Sequence, residues 1–367
     1  MQKGIKFRIY PNKGQKAFIH QTLGCCRLIY NRGLAMRKEG YEKGEKIGYG
    51  QTSAMLTELK KQEEFAFLKE VDSIALQQSL RDLDRGFVNF FQKRASYPTF
   101  KSKHNRFQSY RTVNQKDNIR IVGRYIKLPK LGYVKVRQSM EVGNIHHVTI
   151  EHTPSGKYFA SLLFCCENQT AEKRPAEKFL GIDFAMHGMC VFSTGERAGY
   201  PMFYRNAEKK LAREQRKLSR CEKGSRNYQK QKKKVALYHE KIKNQRKDFQ
   251  HKLSHSLAED YDAVCVEDLN LKGIAGGLHF GKGIQDNGYG QFLSMLGYKL
   301  EERGKYLIKV DRYFASSKIC SVCGHKKKEL ALSERIYLCE CGNRMDRDVN
   351  AAVNILEEGK RIYKKCA

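Results

Sequence analysis

The first part of the chain switches from strand-like to helix-like spacing of its apolar residues. Residues 3–10 alternate apolar and basic positions, which is the pattern of a half-exposed strand. From Gln15 to about Tyr97 the apolar spacing becomes helical. This pattern predicts a strand followed by a helical unit.

Residues 118–167 return to short alternating segments separated by glycine and proline, which is typical of strands. We expect the first strand to pair with them, so that the helical unit is an insertion in a β-barrel-like module. On this interpretation the β-module (a wedge module) covers 1–12 and 105–172, and the helical recognition insertion covers 13–104.

The second half of the chain has a different pattern. Phe179–Ala185 reads as a strand with a hairpin partner after a glycine turn, and the apolar residues 263–266 read as a buried strand. The glycine-rich segment 273–290 is predicted to be a loop. A helix, a strand and, from about Asp348, a closing helix follow.

Composition adds a charge argument to this pattern. The 367 residues include 70 Lys and Arg but only 39 Asp and Glu, a formal net charge of +31. Such a charge opposes compaction and indicates a polyanionic partner, so it argues against a neutral metabolic enzyme and favours nucleic acid. No apolar run approaches the ~18–20 residues that span a bilayer, and the N-terminus lacks a signal-peptide core, so we expect a cytoplasmic protein.

The charge is concentrated in residues 203–252, which hold 18 Lys and Arg against 5 Asp and Glu. The segment predicts two basic helices joined by a turn near Gly224, and such helices bind phosphates with steep salt dependence. The alternative is a solvated pair of charged helices. The candidate nucleic-acid-binding residues are Lys209, Lys210, Arg213, Arg216, Lys217, Lys232, Lys233 and Lys234.

Four of the 12 cysteines have the spacing of metal ligands. Cys320 and Cys323 form one pair, and Cys339 and Cys341 form a second pair that is one residue shorter than usual. Two such pairs bridged by a short hairpin supply the four thiolates of a structural zinc site. The alternative is four unconnected cysteines in a cysteine-rich chain.

Three acidic residues lie where catalytic metal ions could bind. Asp183 is in an apolar strand, Glu267 ends another, and Asp348 starts the last helix. Three such carboxylates could bind two magnesium ions for phosphodiester cleavage. Spacing alone leaves open that Asp183 is a satisfied strand-edge residue, that Glu267 pairs with a lysine, and that Asp348 is a helix N-cap.

The order of these motifs resembles the TnpB family, which is encoded by small bacterial insertion sequences and related to type V CRISPR effector nucleases. The similarity extends over nearly the whole chain, including weaker N-terminal motifs. The segments that carry it most specifically are Gly181-Ile-Asp183, Val266-Glu-Asp-Leu-Asn270, Ser317-Lys-Ile-Cys-Ser-Val-Cys-Gly324 and Asp346-Arg-Asp-Val-Asn-Ala-Ala-Val-Asn-Ile-Leu356.

The resemblance implies a mixed α/β multidomain protein with an RNase H-like (RuvC) nuclease domain at 176–314 and 346–361, interrupted by a zinc ribbon at 315–345. The acidic positions of the family fall on Asp183, Glu267 and Asp348. Met186 and His187 differ from the common pattern, as does the short second cysteine pair.

The function that the resemblance implies is an RNA-guided DNA endonuclease of a transposable element. It would cleave double-stranded DNA next to a short motif, using a guide RNA from the transposon end, two magnesium ions and one structural zinc ion, in association with the bacterial nucleoid. The residues show no helix-turn-helix or RNA-recognition signature. The alternatives are a guided repressor without nuclease activity and a transposase that acts directly on transposon ends.

Overall fold

The computed structural model describes residues 2–105, 107–138, 140–166, 171–186, 188–277, 281–331 and 334–366. The chain divides into two units, Met1–Gln169 and Thr170–Ala367.

Two helices of the first unit begin at a residue whose side chain caps the helix. The Asn12 side chain accepts the backbone N–H of Gln15 at 2.8 Å, and the Gln15 side chain accepts the backbone N–H of Asn12 at 3.0 Å. Asp72 accepts the N–H of Ile74 at 3.0 Å in the same way. The helical elements are α1 (Lys13–Glu42), α2 (Tyr49–Leu59), a 3-10 helix (Glu63–Lys69) and α3 (Ser73–Phe91).

Seven strands in the described part of this unit form one antiparallel sheet in the order β2-β6-β7-β1-β5-β4-β3. Strand β1 lies between β7 and β5 in the sheet. Along the chain, the four helical elements fall between β1 and β2. The bounds of the module and of its insertion remain predictions. The strands are β1 (Gln2–Tyr10), β2 (Gln108–Val113), β3 (Arg120–Val122), β4 (Tyr125–Leu128), β5 (Gly132–Arg137), β6 (Ile145–His152) and β7 (Tyr158–Cys165).

The second unit contains a sheet in the order β11-β10-β8-β9. Strand β10 is parallel to both of its neighbours, and β9 is the antiparallel hairpin partner of β8. A small antiparallel hairpin, β12 with β13, lies in the cysteine-rich segment. The strands are β8 (Phe179–Ala185), β9 (Met189–Phe192), β10 (Ala263–Glu267), β11 (Tyr306–Val310), β12 (Ile336–Leu338) and β13 (Arg344–Asp346).

Part of this unit that the sequence pattern predicts to be a loop is helical in the structure. The pattern of the glycine-rich segment 273–290 predicts a loop, but the segment contains helical residues on both sides of 278–280, which lie outside the described residues. The helices are α4 (Phe203–Ser219), α5 (Arg226–Asp260), α6 (Leu271–Gly277), α7 (Gly281–Asn287), α8 (Tyr289–Glu302) and α9 (Arg347–Cys366).

Helix α9 lies directly against strand β8. A side chain at Gly181 would place its Cβ only 2.1 Å from the Ala352 carbonyl oxygen, so glycine is required for this approach. The contact brings the beginning of α9 next to the ends of β8 and β10. The mixed α/β class is therefore as predicted.

Candidate active site and zinc ribbon

The three predicted acidic residues line one cleft. Val266 and Ile182 are paired in the parallel β8–β10 ladder, so the residues that follow them, Glu267 and Asp183, lie at the same edge of the sheet. Asp348 lies in the first turn of α9. All three line a cleft of ≈ 910 Å³.

Glu267 and Asp348 lie close enough to Asp183 to affect its ionisation. Burial raises the pKa of Asp183 well above its usual range, and the nearby charges of Glu267 and Asp348 raise it further; Arg347 opposes them. Burial also raises the pKa of Glu267, against a hydrogen bond from Ser316 that lowers it. A bound cation would relieve both the repulsion and the cost of burying these charges.

The acids do not form a single tight ligand set. Among the described residues, only the four cysteines form a group of three or more His, Cys, Asp or Glu whose ligand atoms all lie within 4.8 Å of one another. At least one pair among Asp183, Glu267 and Asp348 is therefore more widely spaced. Carboxylates that share two ions about 3.5–4 Å apart are spread over a larger distance than ligands of one ion.

Asp346, a neighbour for which the sequence pattern indicates no role, is the cap of helix α9. Its carboxylate accepts the backbone N–H groups of Asp348 at 2.9 Å and Val349 at 3.2 Å. The alternative of Asp348 as the N-cap is therefore wrong. Arg197 contacts both acids, at 2.9 Å from Asp346 and 3.6 Å from Asp348.

Basic side chains share the lining of the cleft with the acids. They belong to Arg197, Lys318, Lys326, Arg335 and Arg347. A cleft lined by both acids and cations has groups for divalent metal ions and for a phosphate backbone. Spacing patterns contain no signal for Arg197, because it is a single arginine in the segment after the β8–β9 hairpin and lies outside the motifs.

The four cysteine sulfurs have the geometry of a tetrahedral zinc site. Cys320 Sγ lies 3.7 Å from Cys341 Sγ, and Cys323 Sγ lies 3.6 Å from Cys339 Sγ. A Zn–S bond of about 2.3 Å in a tetrahedron requires sulfur atoms about 3.8 Å apart. The cluster therefore fits a structural zinc ion, and the short second pair does not prevent this.

Each cysteine pair is followed directly by a glycine whose backbone has a left-handed conformation. Gly324 has φ +74° and donates to the Cys320 carbonyl at 2.9 Å, and Gly342 has φ +90° and donates to the Cys339 carbonyl at 3.0 Å. Burial opposes ionisation of Cys320, but hydrogen bonds to its sulfur from backbone N–H groups and from the Asn343 amide lower its pKa to about 6. A thiol with a low pKa is ready to bind a metal at neutral pH.

The eight basic candidates of helices α4 and α5 are all exposed. Arg213, Lys217 and Lys234 lie within 3.6, 3.5 and 3.0 Å of the buried Glu214 carboxylate. The remaining candidates make no ion pair within the described residues; they are Lys209, Lys210, Arg216, Lys232 and Lys233. Of the three paired cations only Lys234 of α5 reaches across to α4, because Arg213 and Lys217 are on the same helix as Glu214. The other five candidates present unpaired charge to solvent.

Three polar residues that support the cleft are not found from the sequence. Ser316 donates a hydrogen bond to Glu267, and Asn350 and Asn354 of α9 bond to the segment that contains Ser316. Both asparagines belong to the segment 346–356 that carries the family resemblance, and their spacing of four residues places them on the same face of a helix.

Among the described residues, no helix is long and apolar enough to cross a membrane. His187, one of the two residues that differ from the common pattern of the family, lies outside the described residues.

Three family models match separate parts of the chain. The one described as "Probable transposase" matches residues 163–276, and "Cas12f1-like, TNB domain" matches residues 289–355. The third, "Helix-turn-helix domain", matches residues 1–46, where the described residues contain strand β1 and one helix, α1. This match contradicts the sequence prediction that no helix-turn-helix signature is present, although residues 2–46 contain a single helix and not two helices joined by a turn.

Whole-chain relatives extend these matches. A Streptomyces pristinaespiralis protein named "Putative RNA-guided DNA endonuclease" is 38% identical over 98% of this chain and 90% of its own length. The Escherichia coli K12 protein "Putative RNA-guided DNA endonuclease InsQ" is 34% identical over 98% of this chain and 93% of its own length.

Among solved structures, Cas12f1 in a complex with sgRNA and target DNA shares the fold with a TM-score of 0.59 at 13% identity, over 97% of this chain and 98% of that chain. This match confirms the predicted fold class, and the two relatives confirm the resemblance seen in the motifs. The chain belongs to the TnpB family.

Proposed function

We propose that this protein is an RNA-guided DNA endonuclease of a transposable element. The observation that carries the proposal is the cleft in which Asp183, Glu267 and Asp348 lie beside basic side chains, in a chain similar along its length to proteins with that name. The comparisons do not favour a nuclease-inactive repressor or a transposase that acts directly on transposon ends.

Asp183, Glu267 and Asp348 are proposed to be the catalytic ligands of two magnesium ions. Carboxylate oxygens are the ligands that magnesium prefers, and the raised pKa values of Asp183 and Glu267 mark buried carboxylates whose negative charge is not fully compensated. When bound, a pair of such ions activates water and stabilises the leaving oxygen of a phosphodiester.

The side chains around the acids have the task of orienting the nucleic acid. Arg347 and Lys318 also line the cleft, so their charges can contact the phosphate at the cleaved bond. Arg197 pairs with Asp346 and Asp348, so it restrains the acid at the beginning of α9. One such cleft would cut the two DNA strands one after the other.

Guide RNA supplies the choice of sequence in this proposal. Phosphate contacts from the five unpaired cations of α4 and α5 position nucleic acid but do not read its bases. Base pairing with a guide does read sequence, while the protein reads a short adjacent motif and the shape of the heteroduplex. We assign the guide and the adjacent motif to the N-terminal β-module and its helical insertion, and we place the protein on the bacterial nucleoid.

The test begins with expression of the protein together with the DNA that flanks its gene in the transposon. Purification in high salt, followed by sequencing of the retained RNA, should yield one RNA with a constant part and a 3′ end that extends beyond the element. The loaded protein should then cut a plasmid that carries the matching sequence in the presence of Mg²⁺.

Asp183→Asn is the matched variant for this test. It should retain the RNA and bind the target but leave the plasmid intact, because it removes one carboxylate and keeps the shape of the side chain. If wild-type protein with its RNA binds the target and never cuts it, the endonuclease proposal fails and the repressor remains. If no discrete RNA is retained, RNA guidance fails.

A further inference from the structure

The hydroxyl group of Ser316 holds the carboxylate of Glu267. Ser316 Oγ donates a hydrogen bond to Glu267 Oε1, and the serine is only 6% exposed. A donor on one oxygen restricts rotation of the carboxylate and so directs its remaining lone pairs. Residues that orient metal-binding carboxylates in this way commonly control metal affinity.

Ser316 is itself held by helix α9. Asn354 Nδ2 donates to the Ser316 carbonyl at 2.8 Å and to the Ile319 carbonyl at 2.6 Å, so both N–H bonds of the amide are used. Asn354 is 6% exposed, which means that water does not readily replace these bonds. The backbone of the segment from Ser316 to Ile319 is therefore fixed relative to α9.

The first cysteine pair is tied to the same helix. Asn350 is fully buried, donates to the Ile319 carbonyl at 2.7 Å and accepts the Ser321 N–H at 3.0 Å. Ile319 and Ser321 flank the zinc ligand Cys320 along the chain. One helix thus carries Asp348 and contacts both the first cysteine pair and the serine that holds Glu267.

We propose that Ser316 is a positioning residue for Glu267 and that Asn354 couples this position to the zinc ribbon. The zinc ribbon then has a second role besides its own folding, because it supports the segment that orients a catalytic carboxylate. This inference rests on the proposed function of the cleft, since it assigns Glu267 to the binding of a catalytic cation.

The first test is the Mg²⁺ dependence of plasmid cleavage by the protein loaded with its guide RNA. Ser316→Ala should raise the half-saturating Mg²⁺ concentration about tenfold, the lower end of the range for residues that support metal ligands. Zinc content and affinity for guide RNA should not change. Ser294→Ala, the same substitution on the exposed surface of α8, should behave as wild type. Ser316→Thr retains the hydroxyl and should recover most of the affinity.

A second measurement does not depend on cleavage. Binding of Mn²⁺ to the protein–guide RNA complex, followed by electron paramagnetic resonance, should be about tenfold weaker for Ser316→Ala than for wild type. Asp183→Asn supplies the reference for a lost ligand. If wild type binds Mn²⁺ but does not cut DNA, the proposed function fails and the Mn²⁺ comparison still tests the role of Ser316.

Asn354→Asp tests the coupling. It places a carboxylate against two backbone carbonyl oxygens, so it should weaken Mn²⁺ binding as Ser316→Ala does while zinc is retained. The proposal is overturned if Ser316→Ala has the metal dependence of wild type. It is also overturned if the variant loses activity that excess Mg²⁺ does not restore and its melting temperature falls, because that result indicates a merely structural role.

Discussion

The carboxylate of Asp346 accepts the backbone N–H of Asp348 at 2.9 Å. Two acids two residues apart therefore have different tasks. Asp346 satisfies N–H groups at the start of α9, and this leaves the side chain of Asp348 available to the cleft.

This division of tasks predicts opposite effects of two substitutions. Asp348→Asn should reduce cleavage to background with little loss of stability. Asp346→Ala should retain cleavage but lower the free energy of unfolding by about 1 kcal/mol, as expected when an N-cap is removed. Cleavage assays and denaturant unfolding measure both. Asp346→Asn keeps a capping side chain and should match wild type in stability. If instead Asp346→Ala abolishes cleavage and Asp348→Asn spares it, the roles are exchanged.

The geometry of the four cysteines predicts that removal of any one thiolate is enough to weaken zinc binding. Cys339→Ser removes a sulfur that lies 3.6 Å from Cys323 Sγ, so the purified variant should contain much less than one equivalent of zinc. Atomic emission on purified protein measures the metal. Cys221→Ser, in the turn between α4 and α5, is the control and should retain zinc. A variant at Cys339 that still holds a full equivalent would show that the ribbon does not use this ligand.

The unpaired cations of α4 and α5 predict a change in salt dependence. Replacing Lys232 and Lys233 by Gln should reduce the slope of log affinity against log salt concentration by about 0.9 for each duplex phosphate that the variant no longer neutralises. Filter binding over a range of salt concentrations gives this slope. Lys252→Gln is the matched control, because Lys252 is on the same helix but is paired with Asp248 at 2.8 Å. An unchanged slope in the double variant would remove this surface from the interface.

Glu214 predicts a pH-dependent contribution to stability. Hydrogen bonds from Gln231 and Lys234 lower the pKa of Glu214 to about 2. A carboxyl group with a lowered folded-state pKa stabilises the protein above its unfolded-state pKa of about 4.3 and loses this contribution as the pH falls towards 2. Glu214→Gln should therefore melt at a lower temperature than wild type at pH 7, and the difference should shrink below pH 4. A difference that is constant with pH would mean that the charge of Glu214 is not responsible.

Sequence patterns predict the parts of the structure that depend on local order. The apolar runs of β8 and β10 and the cysteine spacing are visible because each reflects neighbours along the chain. The three acids need the resemblance to a family, since their convergence depends on the parallel β8–β10 pairing and on the packing of α9. The structure brings them to one cleft, and their roles as metal ligands remain predictions.

Tertiary contacts explain what the patterns miss. Glycine lowers helix propensity, so the composition of residues 273–290 predicts a loop, yet α7 is anchored at its end. Asp286 accepts the backbone N–H groups of Tyr204 and Arg205, and Asn287 donates to the Ala185 carbonyl. Strand β2 is not predicted, because the polar residues of Gln108–Val113 weaken the alternation of apolar and polar positions that is typical of a strand. Its pairing with β6 is a contact between segments distant along the chain.

The close approach of Gly181 to Ala352 has a consequence for biosynthesis. Strand β8 leaves the ribosome well before the helix that covers it, because that helix is translated only after both cysteine pairs. A nascent chain therefore cannot complete the cleft until α9 has been synthesised, and any product truncated before Asp348 lacks one of the three acids. Contacts between segments so far apart along the chain also form slowly, so we expect the cleft to be completed late in folding.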